Sequence, residues 1–592
     1  MQVQNAMSPQ QKNTVDSGSK RWGGGGWTDS TKTSPRRFAT ICCGAAGLLL
    51  VAATGAAFPA HPVTSPELTA ADLSARDKAL ADDTFQGRGP GTPNGEAAAQ
   101  WIADEMKRIG LQPGNHGSWF QPVPAVNIAL DPAQSSLTFN TPKGALSPKF
   151  PDEQVFWTPQ FKTADVSVTN APLVFVGYGV VAPEYNWNDY AGVDVKGKTV
   201  VILVNDPGNE DANPDPKFFK GKAETYYGRW MYKYEEAARQ GAAAAIIVHE
   251  TIPAAYGWQV VRNSNSGNKS WLDAPDGDVG MVPIQGWITL DTARDLFHRA
   301  GLDYDQLKAT ANKPGFKAVP MTGETLTARA HSTVSKMMTR NVVGVVRGRA
   351  RPNEYFLYTA HWDHLGVKPD VAGPDKIYNG AVDNGMGVSS ILEIAEKFAK
   401  TKPAPQRSVA FIAWTMEEQG LLGSEYFAKH PVWPLNHIVG GINLDANLPE
   451  PRAHDMVVVG NGASQLEDVL AQELKTQARV ISPDPEPEKG AFYRSDHLNL
   501  AKVGVPMLYP GGGYDLLNGG TAAGQALRDE YRAKHYHQPS DEWQANWDLS
   551  GPLSDIQVLY AVGNRIVDSN DWPNWYEGNE FRHARDKSMA GK

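Results

Sequence analysis

Cysteine is almost absent: the 592-residue chain has two, Cys42 and Cys43, side by side. Both fall inside the apolar run ICCGAAGLLLVAATGAAFPA that follows Arg36 and Arg37, so a product cut after that run contains none. This excludes disulfide bonds, a thiol nucleophile and cysteine-ligated zinc from such a product. A surplus of positive charge is also missing, since 56 Lys and Arg stand against 65 Asp and Glu for a formal net charge of −9. Phosphate backbones are gripped by clustered cations, so a general nucleic-acid binder is excluded. Apolar residues at 41% and 17 tryptophans supply enough interior for two or three domains.

Residues 1–60 read as a leader, Gly-, Ser-, Thr-, Gln- and Lys-rich at first. The apolar run then has a basic flank and small residues at its end, the pattern of a signal peptide cut near Ala57 to Ala60. That implies export, to a periplasm or the medium. A retained N-terminal membrane anchor is the alternative, because the run is close to the shortest length that spans a bilayer.

From Thr64 the pattern is helical, in LTAADLSARDKALADDTF and, after GRGPGTPNG, in EAAAQWIADEMKRIG, where Ala97, Trp101, Ile102, Met106 and Ile109 share a face and Gly110 ends the helix. Residues 127–165 carry short alternating strands, read as an edge hairpin region. Near Ala171 a different module begins. APLVFVGYG and GKTVVILV are apolar strands, YKYEEAARQGAAAAIIVHE is a helix followed by a buried strand, and WQVVRNSNSGNKSWLDAPDG reads as long loops. Near Thr339 the first pattern resumes. RNVVGVVRG signals a strand pair, and NEYFLYTAHWDH, RSVAFIAWTMEEQG and IVGGINLDANLP are buried strands. VDNGMGVSSILEIAEKFAK is a helix with Val388, Ile391, Leu392, Ala395 and Phe398 on one face. Strands alternating with helices imply an α/β fold, a three-layer sandwich around a central mixed, mostly parallel sheet, with ligands at the carboxyl ends of the strands.

Several of those strands end in carboxylates or imidazoles. Two neighbouring divalent cations need about three protein donors each, one carboxylate being shared, and hydrolysis needs an uncoordinated base. His361, Asp383, Glu418, Asp445 and His537 satisfy the first requirement and Glu417 the second. Side chains alternate at a strand end, so Glu417 and Glu418 would point apart. Asp363, two residues after His361, could hold the imidazole by its other nitrogen. A lone histidine or an acidic pair is more often structural; the force of the reading lies in the ensemble. His364 reads as a structural hydrogen-bonding residue, Asp496 and His497 as pocket lining, and Arg494 as a substrate contact.

In this order, HWDHLG, NGAVDNGMG, TMEEQGLLGS, INLDA, YRSDH and YHQPSDEW resemble the motifs of the M28 family of zinc metallopeptidases, in its aminopeptidase-type branch. VGYG, GKTVVILV and AARQGAAAAIIV resemble the protease-associated (PA) domain inserted in many zinc exopeptidases. The resemblance implies a discontinuous catalytic domain over 64–165 and 336–575, a β-rich PA insertion over 166–335 and a tail over 576–592. It implies two Zn2+ per chain, replaceable by Co2+ or Mn2+, with His361 and Asp445 on one ion, Glu418 and His537 on the other and Asp383 on both. Glu417 would then be the general base, Asp363 the residue orienting His361, and Tyr536 a hydroxyl donor to the tetrahedral intermediate. The expected activity is removal of N-terminal residues from peptide substrates. The alternatives are an M28-type carboxypeptidase, a glutaminyl cyclase-like enzyme, or a receptor-like binding protein.

Overall fold

The computed structural model describes residues 57–590 apart from 212, 276–279, 370 and 372. Residues 1–56, with both cysteines and most of the leader and of the apolar run, therefore lie outside the described residues. Among the described residues no helix is long and apolar enough to cross a membrane.

The buried apolar runs become adjacent strands in the order Met507–Leu508, Ile438–Asn443, Arg351–His361, Arg407–Trp414 and Val319–Val346. The first four are mutually parallel and the fifth is antiparallel to Arg407–Trp414. Alternation along each strand divides its side chains between two cores. Phe356, Tyr358, Val409 and Phe411 pack with helices Pro93–Ile109, Met386–Lys400 and Ser550–Asp568. Tyr355, Leu357, Ala410 and Ile412 face Phe427 and Leu500, from helices Leu422–Lys429 and His497–Lys502. The result is a mixed sheet between two helical layers. Each fully buried Leu, Ile or Phe contributes roughly 1.5–3 kcal/mol, so these two cores hold the strand ends in place.

Local signals set the flanking helices. Thr92 accepts from Gly95 N, Pro93 opens the helix where no N–H partner is needed, and Gly110 at φ 109° ends it. The stretch before them is docked too: Phe58 stacks on Phe85, and Trp101 Nε1 donates to Pro59 O at 2.9 Å.

The insertion carries four parallel strands, Asp165–Phe175, Thr199–Leu203, Ala244–His249 and Ile284–Thr289, with Gln154–Trp157 antiparallel at the edge. Three sequence expectations change here. Ser136–Asn140 and Gln154–Trp157 form no hairpin with each other; they pair with Val319–Val346 and Ile284–Thr289, so the insertion's sheet recruits strands from before residue 166. WQVVRNSNSGNKSWLDAPDG is not all loop. It contains helix Trp258–Asn265, which buries Val261 and Asn265, and strand Lys269–Leu272, which pairs with Phe120–Leu130. RNVVGVVRG supplies the end of the single 28-residue strand Val319–Val346, which runs through the expected boundary at 336. Its first half pairs with Asp165–Phe175 and its last residues with Arg407–Trp414.

Residues 576–590 are docked on the rest of the described chain. Phe581 and Arg585 are buried, and Arg585 Nη2 donates to Val439 O at 3.2 Å.

Candidate active site

Strands Arg351–His361, Arg407–Trp414 and Ile438–Asn443 run side by side in one direction, and their carboxyl ends deliver His361, the pair Glu417 and Glu418, and Asp445 to one edge of the sheet. Asp383 arrives on an irregular turn before helix Met386–Lys400. His537 follows helix Gly520–Lys534 in a left-handed conformation, φ 57°.

These side chains converge. Asp383 Oδ1 lies 3.1 Å from His361 Nε2, and its Oδ2 lies 3.2 Å from His537 Nε2. Asp445 Oδ1 is 3.3 Å from His361 Nε2, and Glu418 Oε2 is 3.2 Å from His537 Nε2. One carboxylate thus joins two donor groups, His361 with Asp445 and His537 with Glu418. The ligand atoms of His361, Glu417 and Asp445 lie within 4.8 Å of one another, as do those of His364, Asp383 and Glu418.

Glu417 and Glu418 therefore belong to opposite halves of the site. They come three and four residues after the last strand residue, Trp414, past Met416 at φ 57°, so both lie on a turn and not on the pleat of a strand. Asp363 also acts differently from expectation. His361 Nδ1 lies 3.0 Å from the main-chain oxygen of Asp363, while the carboxylate is 3.9 Å away and accepts from Glu417 N at 3.1 Å.

His364 is fully buried, with Nδ1 2.5 Å from Glu418 Oε1. Tyr536 is 44% exposed and stacks on His537 at 3.9 Å between ring centroids. Asp496 accepts from Ser424 Oγ at 2.5 Å, and His497 packs between Phe492 and Tyr509. Arg494 ends the turn Ala491–Tyr493, and among the described residues it makes no hydrogen bond or ion pair with the five donors.

The electrostatics are those of a site short of positive charge. Among the described residues none of Asp383, Asp445, Glu417 and Glu418 has an ion pair with Lys or Arg; Asp383, Asp445 and Glu418 are faced by imidazoles. Burial disfavours a charged His361, yet Asp445 and Glu417 pull its pKa well above the usual value. Burial likewise opposes a charged His537, but Glu418 and Asp383 raise it to about 9. Against its own burial penalty, Asp383 is held well below the ordinary range by hydrogen bonds from His361 and His537. Burial lifts Glu417 well above it, opposed by His361 and reinforced by Asp445, Glu418 and Asp496. Although Tyr536 as a residue is exposed, desolvation of its hydroxyl end, then the charges of Asp383, Glu418, Glu417 and Asp445, push its pKa up. Imidazole and carboxylate donors with unrelieved buried negative charge suit divalent cations, and N/O donor sets of this kind suit zinc.

Sequence reasoning missed two residues. Asp541 accepts from the N–H groups of Val382 (3.0 Å) and Asp383 (3.1 Å), and so holds the backbone of the shared carboxylate. Tyr509 has its phenol pushed up by burial and then by Asp445, Glu417 and Asp383, which places a second tyrosine facing the carboxylates. An acidic residue four places after His537 was visible in YHQPSDEW, but its partners lie 158 and 159 residues away and leave no local signal.

Comparison with known proteins agrees with this chemistry. A glutamate carboxypeptidase 2 homolog of Caenorhabditis briggsae is 28% identical over 216 residues, 34% of this chain and 24% of the relative. Aminopeptidase YwaD of Bacillus subtilis (strain 168) is 31% identical over 130 residues, 20% of this chain and 26% of the relative. The chain thus spans about a quarter of the length of each of these relatives. The solved aminopeptidase from Aneurinibacillus sp. strain AM-1 is 18% identical, with a TM-score of 0.47 over 85% of this chain and 95% of that one. Residues 341–561 match Peptidase family M28.

Proposed function

We propose that this chain, whose residues 341–561 match Peptidase family M28, is an exported zinc-dependent exopeptidase, an aminopeptidase that removes N-terminal residues from peptides. The observation that carries the reading is Asp383, whose two oxygens face His361 and His537 at 3.1 and 3.2 Å, the arrangement of a carboxylate shared by two cations. His361, Asp383 and Asp445 would hold one zinc ion, and Asp383, Glu418 and His537 the other; Co2+ or Mn2+ could replace them. Bound zinc supplies Lewis-acid polarisation of the scissile carbonyl and lowers the pKa of water toward neutrality.

The remaining work falls to side chains. Glu417, beside His361 and Asp445 and left uncoordinated in this assignment, takes a proton from the attacking water and returns it to the leaving amine. The Tyr536 phenol, protonated, donates to the developing oxyanion. Asp363 acts through its main chain, accepting from His361 Nδ1 and so directing Nε2 into the site. The acidic wall suits a substrate's α-ammonium, and Arg494 remains a candidate contact at the rim. The PA insertion is proposed to wall the entrance and limit substrate size. Its Tyr226 meets Tyr493, and its Glu235 pairs with Lys502 at 2.9 Å, both beside the turn that carries Arg494.

The worm relative's name makes a carboxypeptidase the second reading. One experiment decides between them: metal analysis, then hydrolysis of matched peptides with a free or acetylated N-terminus and a free or amidated C-terminus, before and after chelation. An aminopeptidase loses activity on acetylation and keeps it on amidation; the reverse pattern supports a carboxypeptidase. Full activity after chelation would remove the metallopeptidase reading altogether.

A further inference from the structure

The turn that carries Asp383 is held from two sides. Asp541 takes its amides: Ala381 N donates to the Asp541 main-chain oxygen at 3.0 Å, and Val382 N and Asp383 N donate to its carboxylate. Its carbonyls go to Arg88, a residue that precedes the insertion and lies far outside 341–561. Arg88 Nη1 donates to Asn379 O at 2.5 Å, and Nη2 to Gly380 O at 2.7 Å.

The same guanidinium reaches the other ligand-bearing turn. Nε donates to Trp362 O at 2.8 Å, between His361 and Asp363, and Nη1 also donates to Leu80 O at 2.9 Å. The Arg88 main chain joins in, since His364 N donates to Arg88 O at 3.3 Å. Arg88 is 1% exposed, and its side chain donates to four carbonyls, with no carboxylate hydrogen-bonded to it among the described residues. The fit is tight. A Cβ on Gly87 would lie 2.5 Å from Tyr378 O, and one on Gly380 would lie 2.1 Å from Asp383 O and 2.6 Å from His364 Cδ2.

A planar fork with five donors can link several carbonyls at fixed separation, which an ammonium on a flexible stem cannot. Three of the four carbonyls belong to the turns bearing His361 and Asp383, the donors that must sit at one spacing to share cations. We propose that Arg88 is a positioning residue of the metal centre, setting the distance between the His361 turn and the Asp383 turn and thereby the affinity of the site for divalent metal. This inference rests on the metallopeptidase reading above.

The test compares full-length wild type with Arg88→Lys and Arg88→Gln after metal removal and reloading. Zn2+ affinity is measured by competition with a chromogenic chelator, coordination by the visible absorption of the Co2+ form, and folding by thermal unfolding of the metal-free protein. Loss of a group that orients ligands weakens metal binding about 10- to 100-fold. Arg88→Lys, which keeps the charge, is expected to fold, to bind Zn2+ at least about tenfold more weakly, and to show an altered Co2+ spectrum. A residue serving the fold alone would lower the metal-free unfolding temperature yet leave Zn2+ affinity and the Co2+ spectrum as in wild type, and that result overturns the proposal. If Arg88→Gln fails to fold, Arg88→Lys carries the decision. A wild type that binds no divalent metal sinks the metallopeptidase reading and this inference together. A wild type that binds metal and cleaves peptides, beside an Arg88→Lys protein that binds as tightly, sinks this inference alone.

Discussion

The main chain of Glu417 is pinned at both ends, its N–H donating to Asp363 Oδ1 and its carbonyl accepting from Gly420 and Leu421 at 2.9 Å each. A carboxylate on so fixed a backbone can shuttle a proton without a search, which a general base needs. Glu417→Gln keeps the shape and removes the proton acceptor. The variant is expected to retain its bound metal and lose about 10²- to 10⁴-fold in kcat, measured by steady-state kinetics alongside metal analysis. A metal-replete Glu417→Gln protein with wild-type kcat would remove Glu417 from that role. Glu418, one residue on, should differ in kind: it faces His537 and His364, so its loss should first cost metal.

At the scale of elements, the buried face of a strand has no place for an unpartnered carboxyl, and Val319–Val346 carries one. Glu324 is 1% exposed, and neither carboxylate oxygen has a hydrogen-bond partner among the described residues. Burial raises its pKa from 4.5 to about 7, opposed by Arg299. The folded state therefore keeps the proton after the unfolded chain has lost it. The stability this contributes is fully present below pH 4.5 and is lost as pH rises through about 7. Glu324→Gln should flatten this decline and raise stability above pH 7, as read by urea unfolding at pH 5 and pH 8. An unchanged pH dependence would assign the decline to other groups. Strands Arg351–His361 and Arg407–Trp414 differ, with apolar middles at Tyr355–Tyr358 and Val409–Ala413 and their polar groups toward the two ends.

At the scale of the molecule, the insertion and the catalytic part share covalent and hydrogen-bonded continuity. Val319–Val346 belongs to both, and Lys269–Leu272 of the insertion pairs with Phe120–Leu130, which pairs in turn with Val319–Val346. Ion pairs across the contact, such as Lys220 with Glu580 at 3.1 Å and Lys502 with Glu235, are partly exposed and contribute little each. Coupling through a common strand should make the described body unfold as a unit. Calorimetry of the metal-free protein is expected to give a single transition at low and high salt. Two separated transitions would mean that the shared strand does not couple the halves.

Much of this was legible in the amino-acid order. Apolar runs long enough to cross a sheet, helical spacing such as that of Val388, Ile391 and Ala395, and donors placed just past strand ends are local patterns, because the periods of helix and strand act over a few residues. The sequence alone determined an α/β architecture and the residues with the right chemistry for a metal site. Tertiary structure decided what depends on contacts between distant segments. It set Glu417 and Glu418 on a turn past the strand end, replaced the Asp363 carboxylate with its main-chain oxygen, and brought Asp541 and Arg88 to the turn of Asp383. It also paired Lys269–Leu272 with a strand more than a hundred residues earlier. Such partners are chosen by which main-chain groups burial leaves needing a hydrogen bond, and that choice exists only once the chain has packed.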